Sequence, residues 1–538
     1  MTTKKALFFI LLVSFLPLLA SLSSPFLVHT HDGLVHLPRI GAFFKALLDG
    51  QFPVRWAGDL NHGYGMPLFI FIYHTPYLVA SVFLLLGTGL VWAMKLSFLV
   101  SFLLSGVFMF LFADSFFKDK KKAILVTLLY QFAPFHLIDL TIRGSFGEVY
   151  TYAFLPLVLY AVTKFFQTKR VAFLMLSTIA TALLVISHNS ISLLFFGAIC
   201  LFAFMFASRK KDVLLVVISL GVGLLLSGYY WIPALLEHKY TYGDLFMREL
   251  FKEHFPPLWK LFTPNLFDMK VLQFDNLSLQ FGIFQTIAAI LAVIYFFRKK
   301  IDKPERRLFL YSFALIFFSL FFMSQLSFPL WENISFLRQF QFPWRFLSLI
   351  VFATALLGAY VLEYLKKFFW ILAIIIIISS ISYWFPKEGY DKIDEQYYWN
   401  FPLNTTYYGE TDVIWSAGPA KSYPKNRVAI IEGEGEIQNL SKKSNRQIFS
   451  LRGNTDVSVV SNTQYFPGWR VYVDNASIPI EFQNQNYRGL ITFTAPKGNH
   501  AVRIQFEESK IRLAADLISI VAAIVAAATL FFFRKKTV

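Results

Sequence analysis

A chain of 538 residues that is 56% hydrophobic, 18% aromatic and only 15% charged is too apolar for a soluble domain, where about a quarter of residues carry charge. The formal charge of +17 does not describe a nucleic-acid surface, because the basic residues stand in short clusters between apolar runs, as topology signals do. The single cysteine, Cys200, excludes an intrachain disulfide, and the chain reads as a polytopic membrane protein.

Lys4-Lys5 ahead of the first apolar run, with no small-residue cleavage site, predicts a membrane anchor rather than a signal peptide. Apolar runs of about 20 residues satisfy their backbone inside lipid as helices. They predict twelve spans, at 6–24, 93–113, 121–140, 149–167, 171–187, 190–208, 213–233, 281–297, 307–326, 346–365, 369–384 and 512–533. Segment 67–90 is apolar enough for a thirteenth. If it crossed, the cluster Lys118 to Lys122 and every later one would move to the outer side while Lys4-Lys5 stayed inside, against the positive-inside rule. It is therefore predicted to enter the outer face without crossing. Both termini then lie in the cytoplasm of a multi-pass cell-membrane protein, and 25–92, 141–148, His188-Asn189, 234–280, 327–345 and 385–511 lie outside. The inner loops are short and basic, so chemistry is expected on the outer side.

Pro38 to Leu48 is predicted as a helix along the membrane surface, with Pro38 in its first turn and Gly50 beyond its end. Further on, alternation in Val457–Val460, Trp469–Val473, Leu490–Thr494 and Ala501–Phe506, separated by Pro467-Gly468, Asp474-Asn475 and Pro496-Lys-Gly498, predicts an outer β-sandwich-like domain within 385–511. The division is thus a membrane domain at 1–384 with a first outer loop at 25–92, a β-rich domain at 385–511, and a closing helix and basic tail at 512–538. The fold class is a polytopic α-helical membrane protein of about twelve spans with an extracytoplasmic β-rich domain.

The densest chemistry is His29-Thr-His-Asp-Gly-Leu-Val-His-Leu-Pro-Arg39. Asp32 suits a general base held between a span and a surface helix, or it caps or solvates the loop. Asp32, His31 and His36 are the candidate ligands for a divalent metal, although their spacing matches no structural zinc motif. Arg143 and Glu148, at the outer ends of adjacent spans, either pair with each other or bind a phosphate and orient it. His188, Arg55 and Arg345 reach the same side, Arg345 at a span entrance where an anionic head group would lie or where it snorkels to the interface. No glycine-rich nucleotide loop stands in a strand-to-helix context.

Residues Asp32 to His36 and Arg39, Gly50-Gln-Phe-Pro-Val-Arg55-Trp56, Gly63-Tyr-Gly-Met-Pro67, Tyr73-His-Thr-Pro76, Arg143-Gly through Glu148, His188-Asn189, Trp231-Ile-Pro233 and Gln341-Phe-Pro-Trp-Arg345-Phe346 resemble the motifs of a known family. So do Thr405-Thr406 with Gly409-Glu410, Tyr465-Phe-Pro-Gly-Trp469 and Ala495-Pro-Lys-Gly-Asn-His500. The family is that of bacterial membrane proteins called 6-pyruvoyl-tetrahydropterin synthase-related, together with the YfhO-like proteins. The pterin label implies no pterin chemistry, since the chain does not resemble the compact zinc fold of the soluble synthase. The architecture is similar to GT-C glycosyltransferases, which use an acidic residue of the first outer loop. By that resemblance Asp32 is the leading base, with Glu148 the second catalytic carboxylate. His31, His36, Arg39, Arg55, Arg143, His188 and Arg345 would contact substrate or phosphate. Gly33 follows Asp32, so the paired acidic residues of many GT-C loops are absent, which leaves metal dependence open. The donor implied is a polyprenyl-phosphate sugar and the acceptor a glycan, lipid or protein. The rival readings are a lipid-linked oligosaccharide polymerase or ligase and a non-enzymatic transporter or lipid-binding scaffold. The transporter is disfavoured because no span carries a broken-helix Gly/Pro pattern.

Overall fold

A computed structural model of the protein describes residues 1–262, 279–399, 405–406 and 409–533. The predicted outer stretch 263–278 and the basic cluster Arg534-Lys535-Lys536 lie outside the described residues. Six described helices are long and apolar enough to cross a membrane: Thr3–Ser23, Leu90–Phe117, Glu148–Thr168, Asn189–Phe206, Lys303–Met323 and Lys510–Phe533. Two helix pairs, Lys120–Gln131 with Pro134–Thr141 and Lys210–Leu226 with Gly228–Tyr240, are bent by 50° and 67°, and counting each as one span gives eight. The other four predicted spans are shorter or interrupted. Val171–Val185 and Ile283–Arg298 have 15 and 16 residues. The run from Leu347 passes through a 3-10 segment at Gly358–Tyr360, and Phe369–Ser379 has 11 residues.

The bent pairs correct the expectation that no span is broken. At the first, Pro134 has no N–H to donate and disfavours helical geometry at Ala133, whose extended backbone redirects the chain. Segment 67–90 contains an 11-residue helix, Thr75–Leu85, whose length of about 16 Å is roughly half the hydrocarbon thickness. Polar residues close several helix ends at the basic loops. Asp119 accepts from the backbone of Lys121 and Lys122, and Asp302 and Glu305 form a reciprocal capping box.

The surface helix starts five residues earlier than predicted, at Gly33, and runs to Leu48 with Pro38 inside it. Its N-cap residue is Asp32. A short strand β1 (Leu27–Val28) precedes it and pairs antiparallel with β2 (Tyr390–Asp391), so the chain leaving Phe369–Ser379 lies against the segment that leads into this helix.

The β-rich region holds eight strands: β3 (Val428–Glu432), β4 (Gly435–Lys443), β5 (Arg446–Gly453), β6 (Val457–Gln464), β7 (Trp469–Val473), β8 (Ala476–Ile478), β9 (Leu490–Ala495) and β10 (Gly498–Phe506). One sheet has the order β4-β5-β10-β7-β8 and the other β3-β6-β9. Phe449, Leu451, Val471, Val502 and Ile504 of the first share a core with Val428, Val457, Val459, Ile491 and Phe493 of the second, which is a sandwich. Asp474 and Asn475, both at positive φ, make the two-residue turn between β7 and β8 that their sequence predicts. The sandwich is not self-contained. Trp56, in the loop after the surface helix, lies in its core, 5.4 Å from the Trp469 ring and 5.2 Å from Phe506. Lys442 of β4 reaches Asp59 at 2.6 Å, and Ser444 N donates to Asp49 at 2.6 Å. Asp59 also pairs with Lys45, tying the sandwich to the surface helix. Burial pushes the Asp59 carboxyl up, but Lys442 and Lys45 outweigh it and hold the group below its ordinary value.

Candidate active site

The loop ahead of the surface helix is fixed by backbone bonds to the Arg143 turn: His31 N donates to Ile142 O at 3.1 Å and Asp32 N to Arg143 O at 2.9 Å. Gly144 makes that approach possible. It has φ +62°, and a Cβ there would lie 2.9 Å from Thr30 Cβ. Asp32 occupies the N-cap position, but its side chain makes no capping bond, and Thr30 Oγ1 takes the Gly33 N–H instead. The capping alternative raised by the sequence is therefore not how this carboxylate is used. Its charge reaches Tyr73, Tyr77 and Arg143.

His36 and Arg39 follow Asp32 at i+4 and i+7, so all three share one face of the helix. His36 is buried with Nδ1 2.8 Å from Tyr77 Oη. Burial first, then the charges of Arg39 and His188, hold its pKa well below the ordinary imidazole value, so it is neutral. The charge of Arg39 lies close to the Tyr77 hydroxyl that His36 Nδ1 meets. Tyr77 stacks on Tyr73, and Tyr73 on His188, with ring centroids 5.9 and 5.3 Å apart.

This aromatic column ends at a second cluster. Glu148 opens a span, and its Oε2 accepts from Arg143 Nη1 at 2.8 Å while Oε1 accepts from Arg143 Nη2 and Arg345 Nε, each at 3.1 Å. Asp139 takes a further bond from Arg143 and one from Tyr152 Oη at 3.1 Å. His188 caps the Asn189 helix by accepting the Ile191 N–H at Nδ1, so its Nε2 proton faces Glu148 Oε1 at 3.6 Å. The Gln341-Phe-Pro-Trp-Arg345 motif serves this junction: Gln341 Oε1 accepts from Arg345 Nη1 at 2.6 Å, and the Trp344 ring lies 4.5 Å under the Arg143 guanidinium. Two arginines and two carboxylates, all buried, bring the formal charge to zero.

Of the predicted residues, the structure gathers Asp32, His36 and Arg39 on one helix face, joined through Tyr77 and Tyr73 to Arg143, Glu148, His188 and Arg345. Arg143 pairs with Glu148, one of the two alternatives that the sequence offers, and Arg345 joins the same carboxylate. Arg55 is elsewhere: it binds Asp516 at 2.6 Å, the Tyr229 carbonyl at 2.6 Å and Glu508 at 3.5 Å, joining its loop to the closing helix. Among the described residues no three His, Cys, Asp or Glu side chains converge as a metal set, so Asp32, His31 and His36 are not grouped as ligands. The sequence reading did not name Asp139 or Tyr77 as members of the site, and it quoted Tyr73 only within a family motif. Asp139 had a readable signal, a lone carboxylate within an apolar run four residues before Arg143.

Among solved structures, the chain is similar to the arabinofuranosyltransferase AftD from mycobacteria, with 16% identity and a TM-score of 0.43 over 72% of this chain and 27% of that one. A mutant form of the same enzyme gives 15% identity and a TM-score of 0.46 over 73% and 29%. The chain thus spans less than a third of the length of those structures. Curated proteins return no match. The family described as 6-pyruvoyl-tetrahydropterin synthase related domain, membrane protein, matches residues 71–387, more than half of the sequence. On that match the chain belongs to the 6-pyruvoyl-tetrahydropterin synthase related family of membrane proteins.

Proposed function

We propose that the protein is an integral-membrane glycosyltransferase of the GT-C type, which moves a sugar from a polyprenyl-phosphate donor to a hydroxyl of a surface glycan, lipid or protein. In this reading residues 1–384 form the membrane domain, 385–511 an extracytoplasmic β-rich domain and 512–538 the closing anchor and tail. The termini are cytoplasmic and the site faces outward. The observation that carries the reading is Asp32, an N-cap aspartate that does no capping, at the positive end of a helix and clamped by its backbone to the Arg143 turn. Asp32 accepts the proton of the acceptor hydroxyl as that oxygen attacks the anomeric carbon. The bond from that carbon to the phosphate oxygen breaks, its electron pair leaves on the phosphate, and the configuration inverts.

The test is transfer by full-length Asp32→Asn in liposomes supplied with a polyprenyl-phosphate-linked sugar and a mixed acceptor extract. Loss of at least about a hundredfold, with insertion and unfolding temperature retained, is expected for a missing general base. Undiminished transfer removes the assignment. A second reading, a transporter of the lipid-linked sugar, is favoured by the two bent helix pairs. It predicts movement of labelled lipid across the bilayer with no new glycosidic bond in the same assay.

A further inference from the structure

Three of the buried arginines considered above meet carboxylates: Arg143 and Arg345 at Glu148, and Arg55 at Asp516. Arg39 does not. It is 5% exposed, and it donates to the Thr405 carbonyl. Among the described residues no carboxylate lies within 4.0 Å of its guanidinium. Its Nε is buried without a partner, and so is the hydroxyl of Thr405 beside it. A buried cation with no counter-charge is unfavourable, and so is each orphaned polar atom, unless something outside the chain completes the set.

The geometry points to what completes it. We propose that Arg39, with the Thr405 hydroxyl, is an anion subsite that takes a phosphate ester. The guanidinium supplies a fork of donors and the hydroxyl a further one from the opposite segment, a set that suits an oxyanion with several acceptor oxygens. Arg39 stands two helical turns from Asp32 on the same face, about 10 Å along the axis, a length that a sugar 1-phosphate bridges. His36 lies between them, neutral, so no second cation competes for the anion there. The identity of the ester as the lipid-linked donor rests on the transferase reading; the anion subsite does not. In the transfer step Arg39 would bind the departing phosphate, making it a substrate-binding residue opposite the Asp32 base.

The experiment measures binding to the purified full-length protein, without turnover, using farnesyl phosphate, farnesol and inorganic phosphate as probes. Arg39→Gln is expected to weaken farnesyl phosphate by about tenfold or more and Thr405→Val by several-fold, with farnesol unaffected by either, as befits loss of charge-assisted and neutral hydrogen bonds. Competition by inorganic phosphate at similar concentration assigns the site to free phosphate, and its failure to compete assigns the site to a lipid ester. Affinity for farnesyl phosphate within about twofold of the wild type in Arg39→Gln overturns the proposal. Should that variant not fold, the same result for Thr405→Val overturns it. If Arg39 is needed for binding yet no sugar transfer is found, the subsite stands and the transferase reading falls. If Asp32→Asn loses transfer while Arg39→Gln binds and transfers normally, the converse holds.

Discussion

The Glu148 junction and the Asp32 face of the surface helix lie at the two ends of one column of aromatic rings, yet they handle charge in opposite ways. At the junction, Arg143 and Arg345 are matched by Glu148 and Asp139, and the hydrogen bonds that hold each group come from the chain itself. On the helix face, Arg39 is held by a carbonyl with no carboxylate in reach among the described residues. A neutral, bonded cluster in a low-dielectric setting behaves as a rivet, whereas an unbalanced one is a place where a ligand gains binding energy. The two carboxylates named from the sequence as catalytic differ in setting: Glu148 is bound by Arg143 and Arg345, whereas Asp32 stands at a helix N-cap.

Three stability measurements sharpen or break this contrast. The largest effect is expected for Glu148→Gln, which leaves two buried guanidinium groups without their shared partner and should cost about 3–5 kcal/mol, read as a collapse of the unfolding midpoint in detergent. A midpoint close to that of the wild type would mean that the junction is not a rivet. Asp412, in the segment leading to the sandwich, is a second buried group without balance. One carboxylate oxygen has no partner, and burial, aided by nearby Glu410, pushes its pKa up to about 6. Between its ordinary 3.8 and about 6, the folded protein keeps a proton that the unfolded chain has lost, so stability falls as pH rises through that window. Asp412→Asn should therefore be more stable than the wild type by about 2 kcal/mol above pH 6 and lose that advantage near pH 4, in unfolding curves taken across the range. The smallest effect is expected for Arg39→Met, which removes an uncompensated charge and should leave stability unchanged or raise it by about 1 kcal/mol. Destabilisation comparable to that of Glu148→Gln would place Arg39 among the structural pairs and erase the contrast.

Much of the site was readable from residue types, but the way its members pair was not. The Gly144 and Gly147 of the Arg143 motif explain themselves once the fold is known, since Thr30 packs against one and the Tyr73 ring and the Ser187 carbonyl against the other. No local pattern announces which distant ring will sit there. Arg55 shows the same limit from the other side. A basic residue in a rich outer loop looked ready for a phosphate, and its partners turned out to be Asp516 and Glu508, more than 450 residues further along the chain.

By itself the sequence determined that the protein is built of apolar helices, because only a helix satisfies its backbone in hydrocarbon and composition alone reveals such runs. It also determined the strands β6, β7, β9 and β10 with their turns, since alternation and positive-φ residues are local properties. It placed Asp32, His36, Arg39, Arg143, Glu148, His188 and Arg345 on one list. Tertiary structure alone decided that the surface helix starts at Gly33, five residues before Pro38, which puts Asp32, His36 and Arg39 on a shared face. It alone decided that Arg143 and Arg345 are spent on Glu148 while Arg39 is not, and that the sandwich takes Trp56 into its core. The physical reason is the same in each case. Backbone periodicity is set by neighbours in sequence, whereas the compensation of a buried charge and the filling of a core are set by whichever distant groups the fold brings within a few ångströms.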